Sequence, residues 1–525
     1  MRTKQLFKTR LLSFAALCCL ALAAASCANE DIAQNGTGSD NNKSFATFVA
    51  SEPTKTRTSM DYNSGKFYWE EGDKIYVKDD DGTLQESNVV DAAHAHSESF
   101  SFMVPGKFNN SATYKVYYLG KNGSGTIPIA QTQTKPNDTE HIGEFGDYGT
   151  ATANGPIGGG RFHFQLEHQS TILVFQPYTS STVLKNCYLN KIEVSSDNDI
   201  AETYTIDPVT GNLTNSAGGK QIVLTTHHPY YGTTYYNGFP LTNSSPSVAT
   251  NGAYMAIKSG VHTLKVRYWV KDIVTGVEGT VTKILPSFNY SKNTYYDMTA
   301  NLNVRKYDGN NYYMWDAKQQ YWYGYEWTKS LPAGQPTQEF QTSSNYAQNN
   351  SDNRWYNEDF SPSGPNDASK NSQFTTLPNA NEMAWYIKKG DPRWDADEIW
   401  ESMGHLYKGG MWFKKKSKIP GFTNAHIPDG TYDLRTDFRT VYNFSLKPGL
   451  PSVSEIGDYF YLPALGYYNT YMVGKLSDIG REGRYWASSG ITAGPNLAYI
   501  LTITRNSAQL GSCNRDFGII VQKFE

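Results

Sequence analysis

Upstream of residue 305, apolar side chains recur at every second position in short stretches. Phe45, Thr47 and Val49 alternate with smaller or polar residues, the period of a strand with one buried face. Residues 66–69 and 74–77 repeat the pattern and are joined by Glu70-Glu71-Gly72-Asp73. It continues at 99–102, 114–119, 125–129, 162–166 and 171–175. A second set covers 188–194, 203–206, 221–225, 253–257, 263–270, 280–285 and 295–304. Strands this short, separated by turn residues, predict sandwiches or Greek-key barrels. We read them as two successive β domains, 45–178 and 179–305, dividing near residue 178.

The pattern changes at residues 311–327, NYYMWDAKQQYWYGYEW, the most aromatic stretch of the chain. Such a run forms either an exposed recognition platform or the packed first strands of a further domain, and large aromatics are buried on average. Its position favours packing, with Trp315, Trp322 and Trp327 seating a third domain, 306–525, on the first two. Residues 335–371 are polar and read as a long surface loop. Pro378 and Asn379 then cap a short amphipathic helix through Glu382, Trp385 and Ile387. Residues 397–403 read as a second helical turn and 409–413 as the start of a strand. The last stretch, 517–524, reads as a closing strand committed to that domain's core.

A chain of 525 residues exceeds what one hydrophobic core supports, which agrees with several domains. The formal net charge of −3 leaves no basic stripe for nucleic acid. The first 26 residues read as a secretory signal: basic Arg2, Lys4, Lys8 and Arg10, an apolar stretch over 11–25, then small residues before Cys27. This ending resembles a bacterial lipobox, although Ala24 stands where leucine is usual, and it implies lipidation of Cys27 at the outer membrane. An ordinary cleaved signal is the alternative. Residues 27–44 form a polar tether, with Glu30 and Asp31 resembling a surface-export signal. Cys187 and Cys513 fall in different predicted domains, so no disulfide is expected between them.

Catalytic and metal signatures are weak. His94 with His96, and His227 with His228, lack a third ligand at sensible spacing. Asp79-Asp80-Asp81-Gly82 reads as a hairpin turn and lacks the spaced oxygens of a calcium loop. Gly158-Gly159-Gly160 is followed by no phosphate-binding helix. Neither a carboxylate pair nor a Ser–His arrangement stands out. The expectation is a protein that is not an enzyme and uses no cofactor.

Three phrases carry a resemblance. Thr56-Arg57-Thr58-Ser59-Met60 precedes Phe67-Tyr68-Trp69 and Glu71-Gly72-Asp73-Lys74-Ile75-Tyr76-Val77. Ile127-Pro128-Ile129-Ala130-Gln131-Thr132-Gln133-Thr134 follows, then Phe164-Gln165-Leu166-Glu167-His168-Gln169. In this order they resemble the fimbrillin family, lipoprotein-exported subunits of type V pili. The resemblance implies two transthyretin-like β-sandwich domains and assembly by strand exchange with other pilus subunits. It also implies that a trypsin-like protease cuts behind the first strand, for which Arg57 and neighbouring Lys55 are the candidates. An uncleaved polar loop is the alternative reading of both.

The tail phrases at 461–467, 483–489, 498–501 and 515–521 resemble the Fibrobacter-type major paralogous domain, itself similar to the α+β C-type-lectin-like fold. There the Leu-Pro phrase, here Leu462-Pro463, opens a helix. The cysteine pair of the oxygenase relatives is missing, since Cys513 stands alone. Gly364-Pro365-Asn366-Asp367 and Trp355-Tyr356-Asn357-Glu358 only faintly echo the calcium motifs of sugar-binding lectins. Trp355, Trp385 and Trp412 are candidate contacts for a glycan or host-protein ligand if exposed; core packing is the alternative. The combined expectation is a tip or accessory pilus subunit with residues 306–525 as adhesive head. A non-polymerising glycan-binding outer-membrane lipoprotein, a membrane-retained anchor and a surface enzyme are the rivals.

Overall fold

The alternating stretches become strands, and the protein is mainly β. A computed structural model describes residues 44–525 except 51–58, 64–65, 122–125, 138, 140, 208–212, 329–350, 353–371, 448, 470–474, 492–493 and 495.

The first core lies inside an eight-stranded sheet. Its path runs Leu84–Glu86, Tyr76–Lys78, Thr113–Tyr118, Gly149–Asn154, Arg161–Phe164, Phe45–Ala50, Phe100–Pro105, with Glu167–His168 beside Gly149–Asn154. The two ends of this path meet. Asn88, just past one edge strand, donates its backbone N–H to Met103 O at 3.1 Å on the other edge, and its side-chain Oδ1 accepts from Met103 N at 2.6 Å. The sheet therefore curls towards closure around Phe48, Trp69, Phe102, Val116 and Phe162, all fully buried.

The second core lies between a three-stranded sheet and a larger one. Ser170–Tyr178 runs between Ala253–Lys258, antiparallel, and Thr294–Asn301, parallel. Pairing thus does not divide at residue 178: this strand joins two partners that follow it by many residues. The cause is its own sequence, buried at every position from Ser170 to Pro177, which only a central strand covered on both faces accommodates. Thr126–Ile129 pairs with Ala201–Ile206, and Thr132–Gln133 with Gln221–Thr225, so the first half interlocks with the second.

The third core is organised by a six-stranded sheet in the order Tyr312–Tyr313, Ile519–Ile520, Glu482–Gly490, Leu497–Thr504, Ser507–Asn514, Val441–Asn443. Helix Ala380–Lys389 packs against it. The helix starts as the sequence indicates: Asn379 accepts from Glu382 N, and the Glu382 carboxylate accepts from Asn379 N, both at 2.9 Å. Two local expectations fail. Residues 397–403 are not helical: 397–402 belong to strand Arg393–Ser402, which turns back into His405–Lys414 through Met403 and Gly404, both at positive φ (50° and 76°). Two such residues make the tight hairpin turn that suits twisted strands. Leu462-Pro463 opens no helix either; it ends strand Tyr459–Pro463, which pairs with His405–Lys414 at the sheet edge, where proline is tolerated.

That edge belongs to a ten-stranded sheet shared by the second and third cores. From Tyr459–Pro463 it passes through His405–Lys414 and Arg393–Ser402 to Glu278–Tyr290, Gly260–Asp272 and Cys187–Ser196. The crossing is the parallel contact Thr280↔Glu398. Ile399 and Leu406 consequently bury their side chains in the second core.

Candidate functional site

Strand Phe45–Ala50 is not at an edge. All six residues pair antiparallel with Phe100–Pro105, and Thr47–Ala50 pair parallel with Arg161–Phe164. The period of two holds but its phase is the reverse of that read from Phe45, Thr47 and Val49: Ala46, Phe48 and Ala50 point inward and Phe45 is exposed, because Phe48 rather than Phe45 lies in register with Phe102 and Phe162. Phe48 is the anchor. It lies in register between Phe102 and Phe162, stacks on Phe162 at 5.1 Å between ring centroids, and meets Phe108 edge-on at 5.1 Å. Full burial of one phenylalanine contributes roughly 2–3 kcal/mol. The ends of the strand are also tied: Thr47 N donates to Gly160 O at 2.8 Å and Gly106 N to Ser44 O at 3.0 Å. Gly160 has φ +64°, a conformation side-chain-bearing residues rarely adopt.

Without this strand the sheet would present a cleft floored by Phe102, Val104, Phe108, Tyr114, Phe162 and Phe164, all in one core cluster. Both flanking strands would then expose unpaired backbone N–H and C=O groups, the arrangement that recruits an added strand. Residues 51–58, which carry Lys55 and Arg57, follow the strand directly and lie outside the described residues, as do Cys27 and Trp355.

Trp385 and Trp412 are both buried, each 6 % exposed. The Trp385 Nε1–H donates to His426 O at 2.8 Å and that of Trp412 to Asp395 Oδ2 at 3.1 Å. Their indoles serve the third core and offer no open stacking face. The aromatic run is packed too, but within that core: Tyr312, Tyr321 and Trp322 join its main cluster, and Trp315 a smaller one with Trp486. Trp315 Nε1–H donates to Ala487 O and Trp486 Nε1–H to Tyr313 O. These residues do not seat the third domain on the second, and Trp327 stays 38 % exposed.

The seam between second and third cores is instead built from charged residues that sequence reading missed. Arg267 Nη2 donates to Thr280 Oγ1 at 3.0 Å and lies 3.5 Å from Asp395 Oδ1 and 3.7 Å from Asp397 Oδ2. Glu398 is buried and accepts from the Thr282 hydroxyl at 2.6 Å. Burial, and then the nearby Asp395 charge, raise its pKa to about 7; Thr282, Arg305 and Arg267 oppose this. Single charged residues in a strand carry no periodic signal of what they will face.

The segment 517–525 is committed to the third core, although only Ile519–Ile520 is a regular strand. Phe524 packs against Tyr386, Phe460 and Tyr485. Tyr386 OH donates to Glu525 Oε1 at 2.7 Å. Cys187 and Cys513 are free, buried thiols. Among the described residues no three His, Cys, Asp or Glu side chains are placed to hold a metal ion. His94 pairs with Asp91 at 2.6 Å, and His96 stacks on Tyr68 and meets Glu70 at 3.0 Å.

No protein-family model and no curated protein matches the chain. Among solved structures it is similar to a Bacteroides ovatus protein provisionally assigned to cell adhesion, at 15% identity, covering 50% of this chain and 94% of that one, TM-score 0.31. It is also similar to two Porphyromonas gingivalis proteins. The fimbrial anchor protein Mfa2 matches at 13% identity over 46% of this chain and 82% of that one, TM-score 0.21. The tip fimbrial protein Mfa3 with C-terminal truncation matches at 11% over 48% and 94%, TM-score 0.24.

Proposed function

We propose that this chain is a non-enzymatic, surface-exposed subunit of a type V pilus. It accepts a strand from another subunit in the cleft now filled by Phe45–Ala50, and it occupies a tip or accessory position. The observation that carries this reading is the place of Phe45–Ala50: an amino-terminal strand inserted between two others, gripped by one phenylalanine, and followed at once by the stretch containing Lys55 and Arg57. A cut there would leave the strand held by noncovalent contacts alone. The fimbrillin-like phrases of the sequence support the same reading.

The second support is the packing of residues 517–525. A segment whose Phe524 and Ile519 are buried in the third core is a poor donor to another subunit. A subunit that accepts but does not donate ends a polymer, which leaves the region beyond residue 306 as the outward-facing head. Lipidation at Cys27 and residence at the outer membrane before assembly belong to this proposal. Immunogold labelling of isolated fibres tests it: label at one end is expected, and uniform labelling along the shaft refutes it. Sequencing of the assembled subunit should find Thr56 or Thr58 first; Cys27 or Ala28 would sink the processing step.

A further inference from the structure

The loop 226–238 joins Gln221–Thr225 to Phe239–Pro240 and reads TTHHPYYGTTYYNG from Thr225. Its histidines attract attention in the sequence, but its tyrosines are the unusual feature in space. Tyr230, Tyr231 and Tyr236 are 71%, 88% and 40% exposed. Tyr231 and Tyr236 meet edge-to-face at 5.2 Å, and Tyr230 lies 5.5 Å from the His228 ring. Beside them is an open cavity of about 720 Å³ lined by Asn137, His228, Gly232, Thr233, Thr234 and Tyr235.

The loop is held in shape by its own bonds. Thr226 N donates to Asn190 O at 2.9 Å, and His227 Nδ1 meets the same carbonyl at 3.1 Å, which tethers the base to strand Cys187–Ser196. His228 N and Gly238 N both donate to Tyr235 O, at 2.9 and 2.8 Å. The Tyr235 ring rests 4.6 Å from that of buried Phe239. At the tip, Thr233 Oγ1 donates to Tyr230 O at 2.6 Å and Tyr236 N to Thr233 O at 3.2 Å. His228 Nδ1 meets Thr233 Oγ1 at 2.9 Å and lies 3.3 Å from Tyr230 N, which fixes the imidazole within the loop. A loop already ordered in this way loses little entropy when it binds.

We infer that this loop and cavity form a binding site for a neutral carbohydrate, on the second β unit and apart from the third core. Among the described residues the lining carries no carboxylate, ammonium or guanidinium group, and no cation is there to hold phosphate, sulfate or an acidic sugar. It does carry an Asn137 amide, a Thr234 hydroxyl and the His228 imidazole. Such groups match ring hydroxyls, each of which donates and accepts. Exposed tyrosines add flat, rigid contact faces with a polar tip and few rotors to immobilise. The loop is irregular and offers no strand edge to an extended peptide.

The test is affinity gel electrophoresis of the full chain with dextran, mannan, galactan and xylan as neutral probes and heparin as the anionic one. Retardation by at least one neutral polysaccharide is expected, weakened about ten-fold or more in Tyr231→Ala and Tyr236→Ala and insensitive to salt. Tyr231→Phe should keep the contact face and most of the retardation. The inference is overturned if none of the neutral probes retards the chain. Retardation that survives the double alanine variant, or retardation by heparin alone that salt removes, overturns it equally. Strand exchange is not required for any of these results, so this inference and the pilus proposal fail separately.

Discussion

Glu398 gives a sharp test of how the third core is attached. It sits at the single register contact through which the ten-stranded sheet crosses from one core to the other. The charged and titratable groups facing it are Asp395 from its own strand, Arg267 and Lys283 from the second unit, and Arg305, Tyr307 and Tyr461 from the segments around it. Its carboxyl titrates at about 7 in the folded protein against 4.5 ordinarily. At pH 4 the group is protonated in both states and nothing is lost. Between pH 4.5 and about 7 the unfolded chain releases the proton while the folded chain keeps it, so stability falls as pH rises. Above pH 7 the loss is complete, at about 3 kcal/mol, taking ~1.4 kcal/mol for each pH step between the two values. Glu398→Gln keeps an acceptor for the Thr282 hydroxyl and removes the charge. Tryptophan-monitored urea unfolding from pH 4 to 8.5 should show the wild type weakening by about 3 kcal/mol relative to the variant. In a domain of this size that corresponds to about 6–12 °C in Tm. Parallel pH profiles for the two proteins, or a variant less stable than wild type at pH 8, would refute the reasoning.

Three further outcomes follow from the same geometry. Phe48→Ala should destabilise the first unit by about 3–5 kcal/mol, because it empties a site enclosed by Phe102, Phe108 and Phe162; a loss below 1 kcal/mol on urea unfolding would show that the strand is not gripped there. After brief exposure to trypsin, a chain with Lys55→Gln and Arg57→Gln should show no cut between Phe45 and Met60 on peptide mapping, whereas the wild type is nicked after Lys55 or Arg57; equal nicking in that stretch would place the cut elsewhere. Burial raises both thiols, Cys187 and Cys513, to about 12, so iodoacetamide at pH 8 should leave these two unlabelled in the native protein and modify both after unfolding, as read by peptide mapping.

The strands were legible because each stretch alternates or runs apolar over a few residues. Phe45–Ala50 and Gln221–Thr225 match in both bounds, and Glu278–Tyr290 extends beyond its expected core of 280–285. The helix at Ala380–Lys389 was legible because its capping pair is local in sequence. Tertiary partners were not. The central place of Ser170–Tyr178 depends on residues near 255 and 297, and the helical look of 397–403 gave way to pairing with Glu278–Tyr290. The aromatic run announced burial but not its destination, since apolar character does not say which core a ring joins. At the candidate site the period of two was legible but its phase was not, since Phe45 and Phe48 fall on opposite faces and only the fold shows that Phe48 is the one enclosed; insertion between two strands likewise required the fold.

The neighbours of Phe45–Ala50 run in opposite directions, one parallel and one antiparallel to it. Reversing any strand laid in that position exchanges the two relations and leaves one of each. Backbone hydrogen bonding in the cleft is therefore blind to the polarity of its occupant. Direction and register must come from side chains, and a slip of one residue would turn every inward group to solvent. Selectivity among incoming strands thus concentrates in the aromatic pocket at Phe48, so the cleft should prefer a partner by the spacing of a bulky apolar residue rather than by the sense of its chain.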